Sequence, residues 1–331
     1  SHRLPDDERY TTQLRHAQHY LRVLSVADNL YLKGGDSITN GLALFDLERT
    51  NIEHGQAWAN QYAENDNAAQ VCNLYPGVSW NVINLRLHPR QQIRWMEDAL
   101  NASRQLKHRQ AEGTHLGNLG SAYKDLGKTR KAIEFYEQAL IVAREISDKR
   151  NEGVWLGNLG ITYADLGETR KVIEYMEQVL IIMREVGDRR GEGGTLGNLG
   201  AAYAHLGETR KAIEYHEQYL TIAREIGDRR GEGTALGNLG IAYAALGETR
   251  KAIEFYEQVV IIMREIGDRR GEGNGLWNMS LALDKLDGRA KAISLAESAL
   301  KIYEVIEDPD VGKVRKQLEE WRSSTDASRS G

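Results

Sequence analysis

The sequence predicts an all-α solenoid of stacked antiparallel helix pairs, and three observations predict it. The first is a repeat of 40 residues, because the segment that begins at Gly117 returns almost unchanged at Gly157, Gly197 and Gly237. A period of about 20 to 50 residues is typical of solenoids. The second is a helical spacing of apolar residues within each repeat. The third is the content of only 4 Pro, which leaves long stretches without a helix breaker.

The first helix of each repeat, the A helix, is predicted from one apolar stripe. Leu116, Leu119, Gly120 and Tyr123 occupy positions i, i+3, i+4 and i+7. This spacing places all four on one face of an α-helix. Each repeat is therefore expected to begin with a helix that buries this face.

The second helix of each repeat, the B helix, follows a short turn at Gly127-Lys128-Thr129. After the turn, Ile133, Tyr136, Leu140 and Ala143 form a second apolar stripe. One helical hairpin cannot bury both stripes, so neighbouring hairpins must stack.

An acidic residue is placed to cap each following A helix. Asp148 precedes the helix and Glu152 lies in its first turn, where a negative charge is favourable. The capping position recurs at Asp188, Asp228 and Asp268.

Three regions follow from the extent of the repeats. Residues 67–308 are predicted to form the array, with one degenerate repeat, four near-identical repeats and a second degenerate repeat. Residues 1–66 carry no repeat and are predicted to form an adaptor of two helices, Asp7 to Leu32 and Ile38 to Ala63. Residues 309–331 are predicted to close the array.

The C-terminal region is expected to contain two parts. Val311 to Trp321 is amphipathic and is predicted to be a capping helix, whereas Ser323 to Gly331 is predicted to be a disordered tail. The absence of an initiator Met leads us to expect a fragment of a larger protein.

Composition and motifs argue against several classes of function. The net charge of −5 is unfavourable for nucleic-acid binding, and no apolar stretch approaches the length of a membrane helix. Cys72 is the only cysteine and is expected to be a buried thiol, which favours a cytoplasmic setting. His16 and His19 lack accompanying acidic ligands, so we predict no metal, no cofactor and no enzymatic activity.

The repeat resembles the tetratricopeptide signature, lengthened to 40 residues, at Leu116, Leu119-Gly120, Tyr123, Ala132, Tyr136 and Ala139. This resemblance implies a right-handed superhelical solenoid with a concave groove that holds a protein or peptide. The longer repeats are similar to those of Pins-type adaptors and kinesin light chains.

A second resemblance concerns the N-terminal region. His19-Tyr20-Leu21, Leu30-Tyr31, Gly34-Gly35 and the segment 41–46 resemble the linker after the nucleotide-binding core of prokaryotic NB-ARC/STAND signalling ATPases. No GxxxxGK[ST] phosphate loop occurs in the 331 residues. The resemblance therefore implies an upstream nucleotide-binding domain in an intact parent protein.

A row of Asn residues is predicted on the groove face of the A helices. Its members are Asn118, Asn158, Asn198, Asn238 and Asn278. Asn costs roughly half a kcal/mol relative to Ala inside a helix, so an offsetting role is expected. Each amide could hold the backbone of an extended peptide. Alternatively, each Asn could bond to the adjacent hairpin.

A row of Arg residues lies eight positions before the Asn row. Its members are Arg150, Arg190, Arg230 and Arg270. Because a guanidinium suits carboxylate or phosphate, the row favours an acidic partner. In the alternative reading, each Arg pairs with a nearby Glu or Asp.

Positions that differ between repeats are expected to set specificity. One such row contains Asp125, Asp165, His205 and Lys285, with Ala245 between the last two. A second row, with Ile241 and Leu281, offers apolar contacts near Trp277, which replaces the recurring glycine. Trp277 is predicted to contact an anchoring side chain of the ligand.

The sequence thus predicts a sensing module whose concave groove binds a polar or acidic extended peptide or protein surface. In this hypothesis, binding releases a nucleotide-dependent switch in a larger STAND-type ATPase. The alternative is a passive scaffold that assembles a complex or self-associates without a ligand-triggered change.

Overall fold

The computed structural model describes residues 6–329, and this part of the chain contains sixteen helices and no strand. The chain divides into two compact units, Ser1–Leu166 and Gly167–Gly331. Within each unit, most helices pack mainly against a neighbouring helix along the chain. The all-α fold of helix pairs is therefore confirmed.

The first unit begins with a long helical hairpin. Helix α1 spans Asp6–Leu32 and α2 spans Asp36–Gln61, which agrees with the two predicted helices to within two residues. Leu24, Phe45 and Ile52 are fully buried between them and their neighbours. These apolar side chains belong to one core that the hairpin shares with the helices that follow it.

The first repeat departs from the others in its A helix. Two short helices, α3 (Asp66–Leu74) and α4 (Trp80–Arg86), stand in place of one, and they precede α5 (Pro89–Gln105). Pro76 lies between them and cannot donate a helical hydrogen bond. The break explains why the repeat pattern is weak in this region.

Two buried hydrogen bonds join the hairpin to this first repeat. The Tyr75 hydroxyl donates to the Ala17 carbonyl over 3.0 Å, and the Val82 N–H donates to Asp28 Oδ1 over 2.9 Å. Cys72 is buried beside them, and burial together with the charge of Asp98 raises the pKa of its thiol to about 12. The thiol therefore stays protonated at neutral pH.

The remaining repeats alternate A and B helices. In the first unit, α6 (Arg109–Asp125) and α8 (Lys149–Asp165) are A helices, and α7 (Thr129–Glu145) is a B helix. In the second unit, the B helices are α9 (Thr169–Val186), α11 (Thr209–Glu225), α13 (Thr249–Glu265) and α15 (Arg289–Val305), and the A helices are α10 (Arg189–His205), α12 (Arg229–Ala245) and α14 (Arg269–Asp284).

The predicted caps of the A helices are confirmed. The Asp148 side chain accepts a hydrogen bond from the Asn151 N–H over 3.1 Å. The equivalent bonds join Asp188 to Gly191, Asp228 to Gly231 and Asp268 to Gly271 over 2.8, 2.9 and 2.9 Å. Each cap satisfies one N–H that the helix itself cannot pair.

The turn after each B helix contains one residue in the left-handed backbone conformation, with a positive φ. Ser147 has a φ of 57° after α7, whereas Gly227 has a φ of 68° at the equivalent position after α11. This conformation is strained for a residue with a Cβ and is free of that strain for glycine.

Replacing Ser147 by Gly is therefore expected to raise the free energy of unfolding by about 0.5–1 kcal/mol, because the turn keeps its shape without the steric cost. Gly227→Ser is the matched reverse substitution and should lower it by a similar amount. Urea denaturation of both variants measures the two changes. Shifts of the same sign would contradict this account.

The second unit ends with α16, which spans Val311–Arg329. The helix continues through residues 323–329, where the sequence predicted a disordered tail. No Pro or Gly occurs from Lys313 to Arg329, so nothing in the sequence interrupts it. Ser330 and Gly331, the end of the predicted tail, lie outside the described residues.

Candidate ligand-binding groove

The Asn row lies on the A helices beside buried leucines. Asn198 is exposed and the other four side chains, Asn118, Asn158, Asn238 and Asn278, are half-buried. Within residues 6–329, none of the five carboxamide groups makes a hydrogen bond. The alternative in which each Asn bonds to the adjacent hairpin is thus not observed. The amides are free to bind a ligand.

The Arg row is divided between free and paired side chains. Arg150 and Arg190 are exposed and make no ion pair with any residue between 6 and 329. Arg230 lies 3.6 Å from a carboxylate oxygen of Asp268, and Arg270 lies 2.9 Å from one of Asp308. The alternative of intramolecular pairing therefore describes the last two members of the row.

The residues that differ between repeats and include a charged or polar member lie at the C-terminal ends of the A helices, and all of their side chains are exposed. This row consists of Asp125, Asp165, His205, Ala245 and Lys285. Asp165 is 3.5 Å from the Lys124 ammonium, and the His205 ring lies 3.1 Å from the Thr169 hydroxyl. Asp125 and Lys285 are exposed at the equivalent positions of α6 and just after α14. The assignment of these side chains to ligand specificity stays a prediction.

Trp277 does not occupy the position expected of a ligand contact. Its side chain is only 6% exposed, and its ring centroid lies 6.3 Å from that of Trp321 in α16. This burial places Trp277 in the C-terminal core, and its contact with a ligand side chain stays a prediction. The Trp277 ring is covered because Trp321 of α16 packs against it.

An open cleft of about 310 Å³ lies between α12 and α14 in the second unit. Asn238 and Asn278 line it from the two A helices, and Ile241 and Arg270 also border it. Ile241 is 53% exposed, so it presents apolar surface to solvent at this place. The cleft therefore combines two free amides with an apolar surface, near the region where the sequence predicted apolar contacts.

The floor of the cleft is formed by α13. Tyr256, Val259 and Met263 line it and are each buried. Burial raises the pKa of Tyr256 to about 12, so its hydroxyl stays protonated at neutral pH. The cleft is suited to binding through amides and apolar contacts.

A buried Glu near the start of each A helix sets the position of that helix. In α12, Glu232 Oε1 accepts a hydrogen bond from Arg224 Nε over 2.8 Å, and Oε2 accepts one from Arg229. Arg229 also binds Glu265. We call these four residues the ion clasp; it joins α11, α12 and α13. The sequence predicted that an acidic residue in this first turn interacts favourably with the helix dipole, but it did not reveal the ion clasp.

No group of three or more His, Cys, Asp or Glu side chains between residues 6 and 329 could hold a metal ion. No helix in this part of the chain is long and apolar enough to cross a membrane.

Comparison with known proteins places the repeats in a family. A family model of the tetratricopeptide repeat matches residues 111–185, 152–225, 191–265 and 232–304, which together make up more than half of the chain. A search of curated protein sequences gives no match.

Several solved structures share the fold. BtubC (BKLC) from P. vanneervenii is 19% identical, with a TM-score of 0.58 over 66% of this chain and 92% of that one. Aspartyl phosphate phosphatase F from Bacillus subtilis is 12% identical, with a TM-score of 0.59 over 97% and 96%. Identities this low show a common fold and leave function open.

A third similar structure is longer than this chain. It is a signal transduction ATPase with numerous domains (STAND) from Pyrococcus horikoshii, described as having a tetratricopeptide-repeat sensor. The identity is 16% and the TM-score is 0.60, over 98% of this chain and 55% of that one. This chain thus spans little more than half the length of that protein.

Proposed function

Because the chain belongs to the tetratricopeptide-repeat family, we propose that it is a protein-interaction module that binds an extended peptide or protein segment on the Asn-bearing face of its A helices. The supporting observation is that five recurring carboxamides lie on this face without a hydrogen bond in residues 6–329. An amide can both donate to and accept from a peptide backbone, whatever the side chains of that peptide.

We propose that the ligand is polar, with acidic side chains directed at the Arg row. Arg150 and Arg190 support this preference because each guanidinium is exposed and unpaired in the described part of the chain. Arg230 and Arg270 contribute less, since a ligand carboxylate would have to displace Asp268 or Asp308. The preference for acidic residues should therefore be strongest toward the N-terminal members of the row.

Selection of short random peptides from a displayed library tests the proposal. Replacing all five members of the Asn row by Ala should weaken the selected peptides about 100-fold or more, because each lost hydrogen bond contributes about 0.5–1.5 kcal/mol. Helix formation should not suffer, since Ala has the higher helix propensity. Fluorescence polarisation measures the affinity and circular dichroism the fold.

A control variant has the same net charge as the Asn variant but loses its amides from the B helices. It replaces Gln138, Gln178, Gln218 and Gln258 by Ala. The control should bind the selected peptides like the unaltered chain. Equal losses in both variants, or no loss in the Asn variant, would move the binding surface away from the A helices.

We further propose that the module is the sensor region of a larger cytoplasmic STAND-type ATPase. The similarity to the Pyrococcus horikoshii protein supports this, together with the linker resemblance of segment 41–46. Nucleotide hydrolysis by the intact parent should change when a selected peptide is added. If the parent lacks nucleotide-binding activity, or the chain self-associates in sedimentation without a peptide, the passive scaffold replaces this proposal.

A further inference from the structure

The preceding repeat contains a space equivalent to the open cleft, and there the side chain of Tyr219 fills it. Between α10 and α12, Tyr219 of α11 packs against Gly193 and Gly197, where an added Cβ would lie 3.2 Å from its ring. Its hydroxyl reaches Gly231, where an added Cβ would lie 3.0 Å away. Tyr219 thus runs along a channel lined by three glycines.

The same channel exists one repeat later without the tyrosine. The residues 40 positions after the three glycines are Gly233, Gly237 and Gly271, and all three line the open cleft. The position of Tyr219 is held by Val259, whose shorter side chain stays 3.9 Å from where a Cβ on Gly237 would lie. The cleft is therefore open because one aromatic side chain is missing from α13.

Met263 takes part of the space that the tyrosine occupies in the preceding repeat. Its sulfur lies 2.6 Å from where a Cβ on Gly271 would be, whereas Ala223 stands at the equivalent position of α11. A methionine side chain is flexible and makes favourable contacts with aromatic rings. Met263 can therefore move aside or pack against a ring that enters.

The first unit fills its own inter-helix space in another way. Trp155 of α8 is 6% exposed and lies 6.3 Å from the Tyr136 ring, at an angle of 24° between the planes. Its ring takes the space beside Gly117, where an added Cβ would overlap it. The residue equivalent to Trp155 at the open cleft is Gly275. Spaces of this kind therefore accept either an indole or a phenol.

The charges around the cleft favour an uncharged occupant. Two ionised side chains line it, and both are paired: Asp268 with Arg230 at 3.6 Å, and Arg270 with Asp308 at 2.9 Å. A carboxylate or ammonium entering the cleft would lose hydration without gaining a free partner. A neutral aromatic ring complements this environment, while Asn238 and Asn278 at the rim can bind its flanking peptide groups.

We propose that the cleft between α12 and α14 is a specificity pocket for one aromatic side chain, a tyrosine or tryptophan, of the bound peptide. This inference rests on the proposed function, since the peptide is held along the Asn-bearing face. It adds that the pocket is selective because Val259 and Met263 stand where the preceding repeat has Tyr219 and Ala223.

The probe for this pocket is N-acetyl-tyrosine amide, which is uncharged and carries a peptide group on each side of the residue. Its binding is followed by NMR titration of the full chain. Val259→Tyr with Met263→Ala copies the native pair of the preceding repeat and should lower the affinity about ten-fold or more by filling the pocket. N-acetyl-glutamate amide should bind the unaltered chain no more tightly than N-acetyl-tyrosine amide binds the filled variant.

The reciprocal variant keeps the proposal testable if the filled variant does not fold. Tyr219→Val with Ala223→Met should open a second pocket and about double the probe bound at saturation. Unchanged tyrosine binding in a folded filled variant would overturn the proposal, as would equal binding of the glutamate probe or no gain in the opened variant. If these variants have no effect while the Asn variant still loses selected peptides, the aromatic pocket fails and the interaction function stands.

Discussion

Replacement of Trp277 by Ala is expected to lower the free energy of unfolding by about 3–5 kcal/mol, because it removes a large buried ring from the C-terminal core. Only 6% of the Trp277 side chain is exposed, and Trp321 packs against it with 3% exposed. The contact holds α16 on the last repeat, so its loss should loosen α14, α15 and α16 first. Urea denaturation gives the size of the effect, and amide hydrogen exchange gives its location.

A double-mutant cycle with Trp321→Ala tests whether the contact itself carries this stability. The two single variants should lose comparable amounts, and the double variant should lose clearly less than their sum, because neighbours in one core do not act independently. A Trp277→Ala chain that keeps its stability but loses affinity for selected peptides would return this residue to the ligand-binding surface.

The sequence predicted the helices of the repeats well because their signals are local. The apolar stripe through Leu116 and Tyr123 places the A helix, and the cap at Asp148 places the start of the next one. Both signals need only neighbouring residues, and the repeat of 40 residues gives each of them several times. Such agreement between local signals is what makes repeat folds predictable.

Features that depend on contacts between distant residues could not be predicted in the same way. Trp277 occupies a position that is glycine in the four preceding repeats, and its ring packs against Trp321, which lies outside the repeat. The pairs of Arg230 with Asp268 and of Arg270 with Asp308 likewise join an A helix to the turn that follows the next B helix. Helical periodicity describes one helix at a time, so it does not reveal these partners.

The open cleft left a signal in the sequence that periodicity alone does not highlight. Tyr219 and Val259 are equivalent residues on the B helices, and one is aromatic while the other is small. The recurring amides lie on the A helices, so their pattern does not reveal this difference on the B helices. Its meaning requires the packing of three successive helices, because the B-helix side chain fills a space between two A helices.

Replacement of Glu232 by Gln is expected to lower the free energy of unfolding by about 1.5–3 kcal/mol at neutral pH, because it removes charge-assisted hydrogen bonds from the ion clasp without changing the volume of the side chain. Glu232 is 7% exposed, whereas Glu265, at the other end of the clasp, has 56% of its side chain exposed. Glu265→Gln is therefore the matched control and should cost less than about 1 kcal/mol.

The cost of Glu232→Gln should also depend on pH. Burial by itself raises the pKa of Glu232, but hydrogen bonds and charges from Arg224 and Arg229 outweigh burial and hold the pKa below its ordinary value of 4.5. Because the folded state favours the charged form, the clasp contributes fully above about pH 4.5, and this contribution is lost as the pH falls through the folded pKa. Urea denaturation should therefore show a gap between the free energies of unfolding of the unaltered chain and the variant that is wide at neutral pH and narrows as the pH falls below 4.5. A gap of constant width would mean that the ionised carboxylate is not what stabilises the junction of α11, α12 and α13.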